Sequence, residues 1–331
     1  MKAMILAAGY GTRFRPVTYT LPKPLVPLCN RPLIGWAVES LLAAGIRDLI
    51  VNVHHLAEAI EGHLRAHYLA RAEIAFSFEK EILGTGGGVR RVRPMLEHET
   101  EFLLVNGDTV QFPPYAELIE ARREEDSLAA LTLRHPPAND KFTAVYLDDG
   151  LIRGFGKGFG KDTGEPLMFS GSHVISSRIF RYLPDKEFSG IVDEVYQPLL
   201  DAHRETIAGV VDDGFWFDIG TPQRYLAASR ALLEAIVRGD VRAPEDSSVR
   251  GDSLVEQNAS VEGTLVRSTV GARSVVEGEL HDTSVWNDCA IGKGVRLERC
   301  IIAHGVELTG DLELTDTLVC LDRDGMVSVQ I

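Results

Sequence analysis

Up to about Ala235 the chain alternates short apolar runs with segments whose apolar positions recur every three or four residues. Runs of about five aliphatic residues read as strands covered on both faces, and the 3.6-period segments read as amphipathic helices. The pattern predicts strands at Ala3–Ala8, Leu49–Val53, Ile74–Phe78, Phe102–Val105 and Leu128–Leu133, with helices at Leu33–Ala44 and Tyr115–Glu124. Such alternation implies an α/β fold with a mixed, mostly parallel sheet. Between Tyr146 and Gly171 the pattern loosens into glycine-rich extended segments, which predicts inserted antiparallel strands.

After Ile236 the periodicity changes. Residues 236–247, with Gly239-Asp240 and Asp246-Ser247, read as a linker. Beyond it aliphatic residues recur every five or six positions, as at Val255, Val261, Val266, Val270, Val276, Leu280, Val285, Ile291 and Val295. That spacing is too long for strand alternation and wrong for a helix, so it predicts a β-helix of four or five coils. The expected organisation is therefore a globular domain over 1–235, a linker over 236–247 and a β-helix over 248–331.

The first strand empties into Gly9-Tyr10-Gly11-Thr12-Arg13, followed by Pro22-Lys23-Pro24-Leu25. Ligands of α/β sheets bind beyond the carboxyl ends of the strands. Here two glycines let backbone N–H groups approach an anion, and Arg13 and Lys23 bring charge that neutralises phosphate oxygens. The segment lacks the Gly-Lys-Ser/Thr of a P-loop and has Phe14 where a dinucleotide fingerprint needs its third glycine.

Leu6-Ala7-Ala8-Gly9-Tyr10-Gly11-Thr12-Arg13, followed by Pro22-Lys23-Pro24-Leu25-Val26-Pro27, resembles the signature of the sugar-1-phosphate nucleotidyltransferases, or nucleotide-sugar pyrophosphorylases. The resemblance implies a Rossmann-like nucleotidyltransferase domain over the first 235 residues or so. The tail resembles the hexapeptide-repeat left-handed parallel β-helix that many relatives carry. It further implies that Leu6, Ala7, Ala8, Gly9, Gly11, Thr12, Arg13 and Lys23 receive a nucleoside triphosphate, with Arg13, Lys23 and Asp108 as catalytic residues. Asp108, in Asn106-Gly107-Asp108, and Asp218, in Trp216-Phe217-Asp218, match the family's metal positions and imply Mg2+. Glu81-Ile82-Leu83-Gly84-Thr85-Gly86 resembles the family's Leu-Gly-Thr-x-Gly segment, which assigns Gly84, Thr85 and Gly86 to the nucleobase.

For the sugar phosphate the resemblance implies Asn106, Gly171 and Lys157, with Lys161 as the alternative source of the charge. The family's Glu-Lys-Pro is replaced here by Arg153-Gly154-Phe155-Gly156-Lys157-Gly158-Phe159, so its glutamate and proline are missing. That departure and the glycine triplet at Gly86 resemble N-acetylmuramate-1-phosphate uridylyltransferases, which are short and lack the tail. The tail and Glu81–Thr85 resemble mannose-1-phosphate guanylyltransferases, and guanylyl transfer is the favoured expectation, with uridylyl or thymidylyl transfer to N-acetylmuramate 1-phosphate or glucose 1-phosphate as alternatives. A hexapeptide-repeat acetyltransferase, for which His281 or His304 would be the base, lacks its long excursion loop. A non-catalytic regulatory subunit would be expected to have lost Arg13, Lys23, Asp108 or Asp218.

Composition narrows the partners. The chain has 331 residues, 45% hydrophobic and 25% charged, with a formal net charge of −14. That balance argues against nucleic acid or an acidic membrane as the main partner, while a local basic loop still suits a small anion. Cys29, Cys289, Cys300 and Cys320 show no Cys-x-x-Cys spacing and are expected to be reduced and buried. There is no apolar run of membrane-span length and no signal-peptide layout at the first residues, so a cytoplasmic protein is expected. The expected partners are a nucleoside triphosphate, a sugar 1-phosphate and further copies of the chain, joined through the β-helix.

Overall fold

In the computed structural model, which describes residues 1–137, 142–156, 165–323 and 325–331, the chain forms two units. One comprises Met1–Gly9 and Trp36–Trp216, the other Tyr10–Gly35 and Phe217–Ile331.

In the first unit the aliphatic runs become strands: β1 (Lys2–Leu6), β2 (Asp48–Val53), β3 (Glu73–Phe78) and β4 (Glu101–Asn106). Ala3, Met4 and Ile5 have no exposed surface, as a strand covered on both faces requires. β1 pairs in parallel with β2 and β4, and β2 with β3. Beyond β4 the direction reverses. β8 (Leu167–Ser176) runs antiparallel to β4 and to β5 (Ala129–Arg134), and β9 (Ile207–Val211) is parallel to β5. The hairpin β6 (Ala144–Asp148) and β7 (Leu151–Phe155) completes the order β3-β2-β1-β4-β8-β5-β9-β7-β6. The predicted antiparallel insertion is thus β6 to β8.

The helices include α1 (Leu33–Ala43), α2 (Ala57–Tyr68), α3 (Gly84–Arg91), α4 (Arg93–Leu96), α5 (Tyr115–Glu124) and α6 (Gln197–Asp201). α3 and α4 are separated at Val92, because Pro94 has no N–H with which to continue the ladder. Met4, Phe102, Leu104 and Leu131 pack in one buried cluster with Val89, Val195 and Leu199.

In the second unit α7 (Pro222–Arg238) ends at Gly239, whose φ of 84° supplies a left-handed C-cap. The coil that follows is built from aligned aliphatic ladders. Val255, Val270, Val285, Ile302 and Val319 form one ladder, Val261, Val276, Ile291 and Leu308 a second, and Leu265, Leu280, Leu297 and Leu314 a third. All are parallel pairings, and most of these side chains are buried in one cluster, which makes this a parallel β-helix.

The repeat is tighter than the sequence suggested. Partners in the first ladder are 15 residues apart up to Val285 and 17 thereafter, short of the eighteen that three hexapeptides would occupy. Left-handed corners at Arg267, Asp282, Arg299 and Asp316, with φ of 44° to 51°, turn the chain in fewer residues. Each such non-glycine corner costs about 1 kcal/mol. Bidentate Arg267–Asp282 and Arg299–Asp316 pairs, at 2.6–2.8 Å, tie successive corners together. The two edges of one sheet are closed by antiparallel strands, Ser247–Arg250 on Ser253–Glu256 and Gly325–Gln330 on Thr317–Asp322. No described helix is long and apolar enough to cross a membrane.

Candidate nucleotide-binding site

The signature segment gathers its charge around one carboxylate. Gly11 sits at φ 61°, and a Cβ there would come within 2.8 Å of Lys23 Cβ, so only glycine lets the loop lie on the Pro22-Lys23-Pro24 turn. Thr18 Oγ1 and the Phe14 N–H both donate to the Gly11 carbonyl, at 2.8 and 2.9 Å. Short 3₁₀ turns at Thr12–Phe14 and Lys23–Leu25 then aim Arg13 and Lys23. Lys23 Nζ lies 3.9 Å from Asp218 Oδ1, and Arg13 Nη2 lies 4.0 Å from Asp218 Oδ2. Arg224 Nη1 is 3.2 Å from the same Oδ2. Thr221 caps α7 by accepting the Arg224 N–H, which fixes Arg224 in the first turn, facing back to Asp218. Lys23 is buried, while Gly9, Thr12 and Arg13 are exposed and open to a ligand.

Arg224 is absent from the sequence reading. The signal for it was the Thr221-Pro222 helix start, which places an arginine in the first turn of the helix that follows the aspartate.

In the first unit, register brings together the ends of three strands. Leu6 is paired with Asn52 on one side and Asn106 on the other, and the Gly107 N–H donates to the Leu6 carbonyl at 2.9 Å. Asn106 and the half-buried Asp108 are thereby placed beside the exit of β1. A side chain on Gly171, in β8, would collide with Asn106, so those two residues also meet. Asp108 and Asp218 belong to different units, each with its own neighbours. Lys157 and Lys161 lie outside the described residues.

A buried relay joins the two glycine segments of this unit. The Ala7 N–H donates to Asn52 Oδ1 at 2.8 Å, Asn52 Nδ2 donates to Glu79 Oε1 at 2.7 Å, and the Leu83 N–H donates to Glu79 Oε2 at 3.0 Å. Asn52 and Glu79 are 3% and 5% exposed. The sequence reading missed both, although an asparagine within Leu49-Ile50-Val51-Asn52-Val53 was a visible polar break in an apolar strand.

The glycines of α3 have a packing explanation. A Cβ on Gly86 would stand 2.7 Å from Ser189 Oγ, and one on Gly87 2.2 Å from the Glu187 carbonyl. The N–H groups of Gly86 and Gly87 both point to the Ser189 carbonyl, and Thr85 Oγ1 accepts the Ile191 N–H. Those amides therefore serve the 187–191 segment, and Gly84 and Thr85 remain the partly exposed positions at the start of α3. All four cysteines are free and buried, and burial pushes the Cys29 thiol up to about 12.

A nucleotidyl transferase family model matches residues 2–235. The chain belongs to the nucleotidyl transferase family. The expectation of an enzyme of that class is borne out. Across 96% of its length the chain is 27% identical to a probable mannose-1-phosphate guanylyltransferase 3 of Oryza sativa subsp. japonica, covering 86% of that protein. It is 27% identical to a UTP–glucose-1-phosphate uridylyltransferase of Synechocystis sp., covering 98% of this chain and 89% of that one. The crystal structure of HddC from Yersinia pseudotuberculosis complexed with GMP-PN shares the fold, with a TM-score of 0.59 at 22% identity over 70% of this chain and 99% of that one.

Proposed function

We propose that the protein transfers a nucleotidyl group from a nucleoside triphosphate to a sugar 1-phosphate, releasing pyrophosphate, and that GTP and mannose 1-phosphate are its pair. The observation that carries this reading is the convergence of Arg13, Lys23 and Arg224 on Asp218 beside an exposed glycine loop, within a chain similar along nearly its whole length to a guanylyltransferase. Three cations and one carboxylate form a site suited to a polyphosphate.

In the proposed reaction an oxygen of the sugar phosphate attacks the α-phosphorus in line. The bond from that phosphorus to the β-phosphate oxygen breaks, and its electron pair leaves on pyrophosphate. The nucleophile is already anionic near neutral pH, so no side chain need remove a proton. Lys23 and Arg13 hold the triphosphate in position and offset the charge building on its oxygens. Asn106 and Gly171 are assigned to the sugar phosphate, and Gly84 and Thr85 to the base.

Asp108 and Asp218 are proposed as magnesium ligands. Each is a single hard carboxylate, and magnesium takes few protein oxygens beside phosphate and water. When bound, it would supply a Lewis acid to the phosphate oxygens. Residues 1–235 are proposed as the catalytic segment, in the cytoplasm. Self-association through the coil would rest on its last hairpin, where Leu321 and Met326 are exposed. Pyrophosphate release over a matrix of nucleoside triphosphates and sugar 1-phosphates tests the reading. GTP with mannose 1-phosphate should turn over fastest, and preference for UTP with glucose 1-phosphate would reassign the substrates.

A further inference from the structure

Tyr225, in the first turns of α7, is fully buried and has three polar partners. Its hydroxyl lies 2.7 Å from the Pro27 carbonyl, 2.8 Å from Ser284 Oγ and 2.9 Å from Trp286 Nε1. A carbonyl only accepts and an indole N–H only donates, while the phenol has one proton. The phenol must therefore donate to Pro27, and Ser284 must donate to the phenol. Thr269 Oγ1, 2.9 Å from Ser284 Oγ, then donates to Ser284. The result is a directed, fully satisfied chain from coil residues Thr269 and Ser284, with Trp286 beside them, through Tyr225 to the signature segment.

Tyr225 reaches both arms of that segment. Its ring meets Phe14, the residue after Arg13, edge-on at 5.8 Å, and Trp286 packs on it at 6.1 Å. Pro27 is joined to Lys23 by a tight turn in which the Leu25 N–H bonds the Pro22 carbonyl and the Val26 N–H bonds the Lys23 carbonyl. Its chain neighbour Arg224 pairs with Asp218. A second tie is Asn30 Nδ2, which donates to the Val270 carbonyl of the coil at 3.1 Å.

We infer that the coil is a positioning element for the phosphate-binding arms, with Tyr225 as the positioning residue through which Ser284 and Trp286 hold Arg13 and Lys23 in place. This goes beyond the proposed assembly role of the tail. It rests on the reading that Lys23 holds the polyphosphate.

The test uses the full-length protein with GTP as probe, comparing Tyr225→Phe, Trp286→Phe, Lys23→Ala and the coil-core control Leu297→Ala. Tyr225→Phe and Trp286→Phe should each lower kcat/KM for GTP at least tenfold at a temperature where all variants are folded. KM for the sugar 1-phosphate should stay within about twofold, and Leu297→Ala should lower the melting temperature while keeping kcat/KM for GTP. If Tyr225→Phe does not fold, Trp286→Phe and Asn30→Ala carry the test. Lower melting with unchanged GTP kinetics in the Tyr225 and Trp286 variants overturns the inference while the phosphate reading stands. An unaffected Lys23→Ala overturns both.

Discussion

Lys23 Nζ stands 3.9 Å from Asp218 Oδ1, a buried ammonium facing a carboxylate that is 22% exposed. Burying a cation without a counter-charge is costly, so Asp218 has a structural duty besides any role with a metal. Lys23→Ala should reduce turnover by about a hundredfold, the scale seen when one preorganised charge donor is removed. Arg90, paired with Asp185 at the surface of the first unit, should tolerate alanine within about twofold. Steady-state kinetics of the two variants decides the point, and equal losses would mean that the loop is misassigned.

Asp108→Asn should lower turnover on the order of a hundredfold with the fold intact. Asp218→Asn should do so and also lower the melting temperature, because it removes the counter-charge of Lys23, and a magnesium titration of each should be right-shifted. A variant that regains near-wild-type turnover at saturating magnesium removes its residue from the metal site.

The Asn52–Glu79 relay makes a prediction by complementarity. Glu79→Gln places an amide N–H against either the Asn52 amide or the Leu83 N–H, two donors facing each other, and should destabilise by about 1–3 kcal/mol. Asn52→Asp sets two carboxylates together and should do at least as much harm. The double variant restores donor to acceptor at every contact: Ala7 to Asp, Gln to Asp, Leu83 to Gln. Thermal melting should therefore show it more stable than either single change, and additive losses would contradict the relay.

These contacts mark where sequence reading stopped. Strand and helix positions were legible because Met4, Leu104 and Val51 sit in runs whose burial the periodicity encodes. Gly11 and Lys23 were legible because a phosphate loop needs small and basic residues at fixed spacing. Arg224, Asn52 and Glu79 act through tertiary partners far along the chain, and nothing local reports which carboxylate an arginine meets. The glycines of α3 illustrate the converse. Their spacing was visible, but the backbone of 187–190 that excludes a Cβ there was not. The coil's 15-residue spacing was hidden because aliphatic intervals of four, five and six average to nearly the same period.

Burial, then the nearby Asp246 carboxylate, pushes Glu256 up to about 7 from 4.5, while the Gln257 N–H and Arg273 pull the other way. A raised carboxyl favours the folded state when protonated, so its contribution is full below pH 4.5 and is lost as pH rises through 7. Asp282, Asp288 and Asp316 are held low by Arg267, Arg273 and Arg299, so their stabilisation fades only below about pH 3.8. Burial holds His63 and His173 low, to about 4 and about 3, so their contribution rises with pH up to about 6.5. Against it Glu256 adds a falling contribution between pH 5 and 8, and Glu256→Gln should remove that contribution, so that the variant's melting temperature gains on the parent's across this range. An unchanged slope in the variant would exclude Glu256 as the source of that contribution.

Tracing the α-phosphorus tests the central claim most directly. With GTP labelled at the α-phosphate, mannose 1-phosphate and magnesium, the label should appear in a guanosine diphosphate sugar, and γ-labelled GTP should yield labelled pyrophosphate. Lys23→Ala should slow both by the same factor. Label recovered as free GMP, or γ-label recovered as orthophosphate, would show hydrolysis in place of transfer and contradict the account.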